Sequence, residues 1–263
     1  TRAAIATDPP GLYQVFEQQT PAGLQRGVRL LFHAGQYQAW NSERRIVAII
    51  SGTQGGKTSF APWWLAREIE QCGPGDYLAV TATYDLFKLK MLPETRLVFE
   101  DLLGIARYWS GDQVLELCAH VQDPVSGVWA PRRGQFLARR ASDPMWGRII
   151  LRSASSPGGL ESATAKAAWL DEAGQDEFTL DAWEAVLRRL ALNRGRILIT
   201  TTPYSLGWLK QQVYDRWRAG DQNIDVIQFP SIMNPAFSRE EFEERRREMD
   251  GWKFRMFYEG QFE

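Results

Sequence analysis

Cysteine and histidine are nearly missing from this chain: Cys72, Cys118, His33 and His120 are all it has among 263 residues. Neither a disulfide framework nor a zinc-ligand spacing can be assembled from them, and two isolated cysteines read as small buried hydrophobes. Long apolar runs are missing too. None approaches the roughly 20 residues needed to span a bilayer, and Thr1-Arg2-Ala3-Ala4-Ile5-Ala6 has no apolar core like that of a signal peptide. The expectation is an intracellular, non-secreted protein with no membrane partner. Charge of one sign is lacking as well: 31 Lys and Arg stand against 32 Asp and Glu, a net charge of −1. Whole-chain electrostatics therefore give no support for nucleic-acid binding. No internal repeat or low-complexity segment interrupts an ordinary globular composition, 44% hydrophobic and 24% charged, of a length that suits one large domain or two small ones.

What is present is concentrated in one stretch. The apolar run Ile46-Val47-Ala48-Ile49-Ile50 feeds into Ser51-Gly52-Thr53-Gln54-Gly55-Gly56-Lys57-Thr58, and a helical pattern follows. Strand, glycine loop and helix in that order turn backbone N–H groups around a triphosphate, while the helix N-terminus adds positive dipole. Chemistry assigns Lys57 to the β- and γ-phosphates and the Thr58 hydroxyl to Mg²⁺. The spacing is a deviant P-loop, with Ser51 at the first-glycine position and Gly52 one residue late.

Apolar segments at Arg45–Ile50, Tyr77–Ala82, Ile149–Arg152, Ala167–Leu170 and Arg196–Thr200, with a sixth at Ile224–Phe229, suit parallel strands. Helical patterns lie between them at Thr58–Glu70, Glu94–Leu103 after Pro93, Leu180–Leu192 and Leu206–Ala219, and Ser238 opens a charged helix through Met249. The alternation predicts an α/β fold, a P-loop NTPase of ASCE/RecA-like type whose central, mainly parallel sheet is flanked by helices. Residues 1–35 read as an arm packed on the core, and 36–263 as the ATPase domain. Residues 105–148 break the rhythm and read as a hairpin or loop insertion on its rim, whose Arg132-Arg133 and Arg139-Arg140 are better explained as solvated surface than as a phosphate contact. Arg245-Arg246-Arg247 lies among glutamates, the pattern of a salt-bridged helix face.

About a hundred residues beyond the P-loop, Ala167-Ala168-Trp169-Leu170 runs into Asp171-Glu172. An apolar strand ending in two acids puts both carboxylates at the carboxyl edge of the sheet, where open α/β sheets hold ligands. Asp171 would hold the Mg²⁺ shell, and Glu172 would orient or deprotonate the attacking water. The next strand ends in Thr200-Thr201-Thr202-Pro203, whose hydroxyls could register the γ-phosphate; β-branched residues before a turn are the competing explanation.

In this order the motifs resemble the ATPase domain of the large terminase subunit, the DNA-packaging motor of tailed phages and herpesviruses. The likeness runs from about residue 36 to the end. Tyr37-Gln38 resembles the family's adenine-contacting glutamine, Gly52–Thr58 its Walker A loop, Leu170-Asp171-Glu172-Ala173 its Walker B and Thr200-Thr201-Thr202-Pro203 its coupling motif; Asn234-Pro235 and Phe254–Phe262 resemble its closing segment. The resemblance implies ATP and Mg²⁺ as cofactors and double-stranded DNA, a portal protein and a small terminase subunit as partners. It also implies a homo-oligomeric ring during packaging, a monomer in isolation, and the host-cell cytoplasm as location. The family's nuclease domain would begin where this chain stops, so it is expected to be absent. Many members carry an arginine where Thr53 stands and another, a proposed trans-acting finger, where Glu161 stands; Arg148 and Arg152 are the nearby substitutes. Another P-loop translocase or helicase, a small-molecule kinase and a non-hydrolysing nucleotide scaffold stay open as alternatives.

Overall fold

In the computed structural model, which describes residues 11–20, 23–155 and 164–263, the apolar runs become the strands of one eight-stranded sheet. The P-loop strand is β3 (Ile46–Ser51), followed along the chain by β4 (Gly75–Thr81), β9 (Gly147–Ser153), β10 (Ala165–Asp171), β11 (Arg196–Thr201) and β12 (Ile224–Phe229). Spatially the order is β12-β3-β11-β10-β4-β9, all parallel, and the edge is completed by antiparallel β6 (Val114–Leu117) and β5 (Ala106–Trp109). Strand β11 therefore separates the P-loop strand from the acidic strand. Register fixes the ends: Asp171 pairs with Thr200, and Thr201 with Ile50.

These strands are apolar on both faces because both are covered. Val47, Ile49, Trp169 and Leu198 pack with Phe60, Trp64, Leu65 and Ile69 of helix α2 (Lys57–Cys72). Ile46, Ala48, Ile50, Leu170 and Ile199 face the opposite side, against Trp183, Val186 and Leu190 of the helix Leu180–Leu190 and Val213 of the segment after β11. Thr179 caps Leu180–Leu190 by accepting from the Ala182 amide, the local reason it starts there.

Elsewhere the structure departs from the sequence reading. Part of the N-terminal arm is a hairpin, β1 (Tyr13–Thr20) with β2 (Gly23–Leu30), and helix α1 (Ala34–Asn41) follows it. The helix expected from Glu94 begins ten residues earlier: α-helical turns at Tyr84–Leu86 and Leu92–Arg96 alternate with π turns at Phe87–Met91 and Leu97–Leu102. Within 105–148 the expected hairpin is present as β5–β6 and extends the main sheet at its edge, while β7 (His120–Gln122) with β8 (Trp129–Pro131) forms a separate two-stranded sheet. Buried Glu116 explains the join. Its carboxylate accepts from Arg107 Nε at 2.7 Å, Trp109 Nε1 at 3.1 Å and the Ala138 amide at 2.9 Å, so a charge inside the sheet edge is paired and tethers the segment that follows. Arg132, Arg133, Arg139 and Arg140 are exposed, and Arg245 pairs with Glu241 and Glu248.

Trp64 is wholly buried between α2 and the sheet. Trp64→Ala should cost about 3–5 kcal/mol, by lost transfer energy and the cavity left behind. Urea unfolding of parent and variant measures it, and a midpoint shift equivalent to less than about 1 kcal/mol would contradict this packing.

Candidate nucleotide site

The chain leaves β3 at Ser51, crosses Gly52–Gly56 and enters α2 at Lys57. Two residues of this loop lie in the left-handed region, Gln54 at φ +56° and Gly56 at φ +80°. Gly56 offers no side chain to the helix start, so no side chain caps the first-turn amides of a sixteen-residue helix. That end carries the positive pole of the helix dipole and unshared N–H donors, a ready anion site.

Lys57 turns back over the loop. Its buried ammonium donates to Gly52 O at 2.8 Å, Ser51 O at 3.2 Å and Thr202 Oγ1 at 3.2 Å. Burial pulls its pKa down to about 8, while neighbouring Glu172 and Asp171 act in the opposite sense and favour the charged form. Thr58 Oγ1 lies 3.2 and 3.3 Å from the two Asp171 oxygens. A relay fixes Asp171 from the other side: Trp169 Nε1 donates to Thr200 Oγ1 at 2.8 Å, and Thr200 Oγ1 donates to Asp171 Oδ1 at 2.7 Å. Burial foremost, and then the Glu172 charge next door, raise the Asp171 pKa above the ordinary carboxylate value.

Glu172 breaks from the strand in a left-handed conformation, φ +52°, unfavourable for a residue with a Cβ and held by its amide donating to Thr200 O at 2.7 Å. The turn aims its carboxylate into the cavity above Lys57, where Oε2 is buried without a hydrogen-bond partner. Across from it lies Tyr204, whose phenol is pushed up to about 12 by burial and then by the Glu172 charge.

The three threonines go to different places. Thr200 supports Asp171, Thr201 Oγ1 accepts from the Gly174 amide at 2.9 Å, and only Thr202 lines the cavity, accepting from Lys57.

Among the remaining sequence candidates, Gln38 is exposed on α1, and the glutamine that meets the loop is Gln36. Gln36 Nε2 donates to Gly56 O at 3.1 Å from a buried position. Two residues apart on a helix means nearly opposite faces, which is why the neighbour is the one brought in. His33 caps α1 through Nδ1, which accepts from the Gln36 amide at 3.4 Å, so Nε2 carries the proton and donates to Gly55 O at 3.2 Å. The sequence signal was the pair His33 and Gln36, which form a capping box. Arg148 and Arg152 are both engaged within this chain. Arg148 sits at the amino end of β9 in a two-pronged pair with Asp76, at 2.8 and 3.1 Å, and Arg152 Nη1 donates to the carbonyls of Asp112, Gln113 and Leu151. Glu161 lies outside the described residues.

The chain's C-terminal segment grips the loop from above. Thr53 N donates to Phe257 O at 2.6 Å, Ser231 Oγ to Thr53 O at 2.5 Å and Asn234 Nδ2 to Gln54 O at 2.7 Å. A Cβ on Gly52 would lie 2.2 Å from Tyr258 O, so this glycine is required by close approach. The cleft beside the loop has a volume of about 460 Å³, within the range of small-molecule sites, and its lining also includes Leu89, Lys90, Pro93 and Glu94.

With this geometry in hand, comparison with solved structures places the fold. No family model matches the chain, and no curated protein matches it in sequence. In three dimensions it is similar to the large terminase ATPase domain of Thermus phage P74-26, with TM-score 0.68 and 21% identity over 89% of this chain and 95% of that one. It is also similar to the large terminase of a thermophilic bacteriophage, with TM-score 0.68 and 12% identity over 88% of this chain and 53% of that one, so here it spans about half the neighbour's length. That terminase has also been solved with ADP and with ATP-γ-S. The fold of this chain is that of a phage large terminase ATPase domain, the P-loop α/β type expected from the motifs.

Two predictions come from the loop's supports. Burial lowers the His33 pKa below the ordinary value near 6.5, so the unfolded chain takes up the proton first, and the stability His33 confers is complete above that value and lost as pH falls below it. The stability difference between parent and His33→Gln should therefore move in the variant's favour between pH 8 and pH 5.5; a difference constant across that range would contradict the buried neutral ring. Gly52→Ala should lower the stability of the loop's contact with the C-terminal segment, seen as faster hydrogen exchange over 254–262, and protection equal to the parent's would count against the clamp.

Proposed function

We propose that this chain is an ATPase of the large terminase type, hydrolysing ATP to drive double-stranded DNA into a procapsid. One observation carries it: a P-loop lysine, its following threonine and a strand-end acid pair converge on one cavity, with a buried, unpartnered glutamate oxygen above the lysine. The fold likeness supports the terminase assignment over a kinase or a scaffold. In this reading the amides of Gln54–Thr58 and Lys57 receive the β- and γ-phosphates, Gln36 takes the place foreseen for Gln38 beside the loop, and Glu172 accepts a proton from the attacking water.

The donor set fits magnesium: Thr58 and Asp171 offer hard oxygens at adjoining positions. Thr58 and Asp171 would hold it, and bound there it neutralises phosphate charge. Thr200, Thr201 and Thr202 are assigned to coupling, through Asp171, Gly174 and Lys57 respectively. The partners proposed are a portal protein, a small terminase subunit and further copies in a ring, and the site of action is the host cytoplasm. Among the described residues no helix is long and apolar enough to cross a membrane.

The deciding measurement is ATP hydrolysis with and without double-stranded DNA. The parent should hydrolyse ATP slowly as an isolated domain, Lys57→Ala should lose nucleotide binding, and Glu172→Gln should keep ATP bound while turnover drops by at least ~10²-fold. Turnover by Glu172→Gln at the parent rate would sink the base assignment.

A further inference from the structure

The cavity has two cationic walls, and the motifs account for one. Opposite the P-loop, the π turn Phe87–Met91 brings Leu89 and Lys90 to the cavity, and the α turn after it brings Pro93 and Glu94. This wall is anchored. Phe87 and Met91 are buried in the core on either side of Lys90, and Ser59, one residue past Thr58, donates from Oγ to Glu94 Oε1 at 3.1 Å. A π turn carries one residue more than an α turn and so redirects the side chains it holds, a device common at functional sites. Lys88, on the same turn, is already used, with its ammonium 4.6 Å from the centre of the Tyr84 ring.

Lys90 is used by nothing comparable. The lysine ion pairs among the described residues are Lys210 with Asp215 and Lys253 with Asp250, and Lys90 enters neither. Its charge is felt by the Lys57 ammonium, which it disfavours, and it forms no ion pair with the acids of the lining. Glu94 and Glu172 line the same cavity, Asp171 lies behind it, and Lys57 is the other cation on the lining. A nucleoside triphosphate brings about four negative charges into a space already holding acids, and its terminal phosphate exposes oxygens away from the loop as well as toward it. The loop supplies no arginine for those oxygens, since Ser51–Thr58 contains none, and Arg148 and Arg152 are committed elsewhere. A lysine on a flexible four-carbon stem, exposed at the rim and anchored at its base, has the reach and the free donors for them.

We propose that Lys90 is a second phosphate-contacting cation, supplied by the same chain across the cavity from Lys57 and directed at the terminal phosphate. Glu94 acts through it as a positioning residue: its bond to Ser59 sets the distance between the Lys90 turn and the first turn of α2. Lys57 then grips what ADP and ATP share, and Lys90 reads what only ATP has. The inference rests on the nucleotide-binding reading above and adds a discriminating contact to it.

Equilibrium binding of ADP and of ATP-γ-S, followed by calorimetry on the intact chain, tests it without requiring turnover. A charge-assisted hydrogen bond is stronger than a neutral one, and solvent exposure moderates it. Lys90→Gln should therefore weaken ATP-γ-S by roughly 10-fold while ADP affinity stays within about twofold, Lys90→Arg should restore most of the loss, and Lys57→Ala should weaken both ligands together. Equal losses for the two nucleotides in Lys90→Gln, or no loss for either, would overturn the assignment to the terminal phosphate while leaving the P-loop reading intact. Failure of the parent to bind either nucleotide would remove that reading, and Lys90's role with it.

Discussion

Everything at this site depends on keeping one ammonium charged out of water. Lys57 is buried, and burial alone favours its neutral form; Glu172 and Asp171 keep the balance on the charged side. The two acids stand at the end of β10 and the lysine opens the helix that follows β3 and its loop, and β11 lies between those two strands. A slip of one residue in the pairing of β10 with β11 would turn Asp171 to the other face. Register in turn is enforced by the two apolar layers, with Val47 and Trp169 on one side and Ala48 and Leu170 on the other. Core packing and site electrostatics are thus one constraint: removing one partner of such a buried set leaves the remaining charge uncompensated, at a cost of about 3–5 kcal/mol.

Much of this was legible in the sequence, and the part that was has a common cause. The strands β3, β10, β11 and β12, the loop Gly52–Thr58 and the acids Asp171-Glu172 are specified by residues adjacent in the chain: an apolar run buried on both faces, a glycine where backbone approaches closely, an acid at a strand end. What was not legible depends on contacts between distant segments. Gln36 rather than Gln38 meets the loop because of how α1 is docked, with His33 against Phe229 and the Gly55 carbonyl. The helical segment over 84–102 was read too short because Pro93 is a strong start signal, yet here it sits early in an α turn that continues a π turn. Strands β5 and β6 looked like a rim insertion because no local pattern announces that Glu116 will be buried with Arg107 and Trp109.

The low identity to the structural neighbours, 21% at TM-score 0.68, fits this division. A parallel sheet with helices on both faces tolerates almost any apolar filling of the right volume, so its residues drift while the layers persist. Residues that hold the phosphate loop are constrained differently, by backbone approach: the Phe257 carbonyl accepts from the Thr53 amide, and the Ser231 and Asn234 side chains donate to the Thr53 and Gln54 carbonyls.

In the proposed motor, the end of β11 is where signalling would begin. Three consecutive hydroxyls each serve a different element: Thr200 the acid at the end of β10, Thr201 the amide of Gly174 in the loop beyond it, Thr202 the P-loop lysine. Pro203 then stops the ladder, and the chain enters the segment whose Leu209 and Val213 are buried against the sheet. Between the Ala173–Leu180 loop and this segment lies a hollow of about 300 Å³, bordered by Trp208, whose indole donates to Phe178 O at 2.6 Å. In the proposed motor, loss of the terminal phosphate changes what Lys57 must neutralise, and Thr202 is the first group to share that change. Thr202 follows directly on Thr201, the last residue of β11, so in that motor a shift at the lysine would pass through one peptide link to Thr201 and its Gly174 partner.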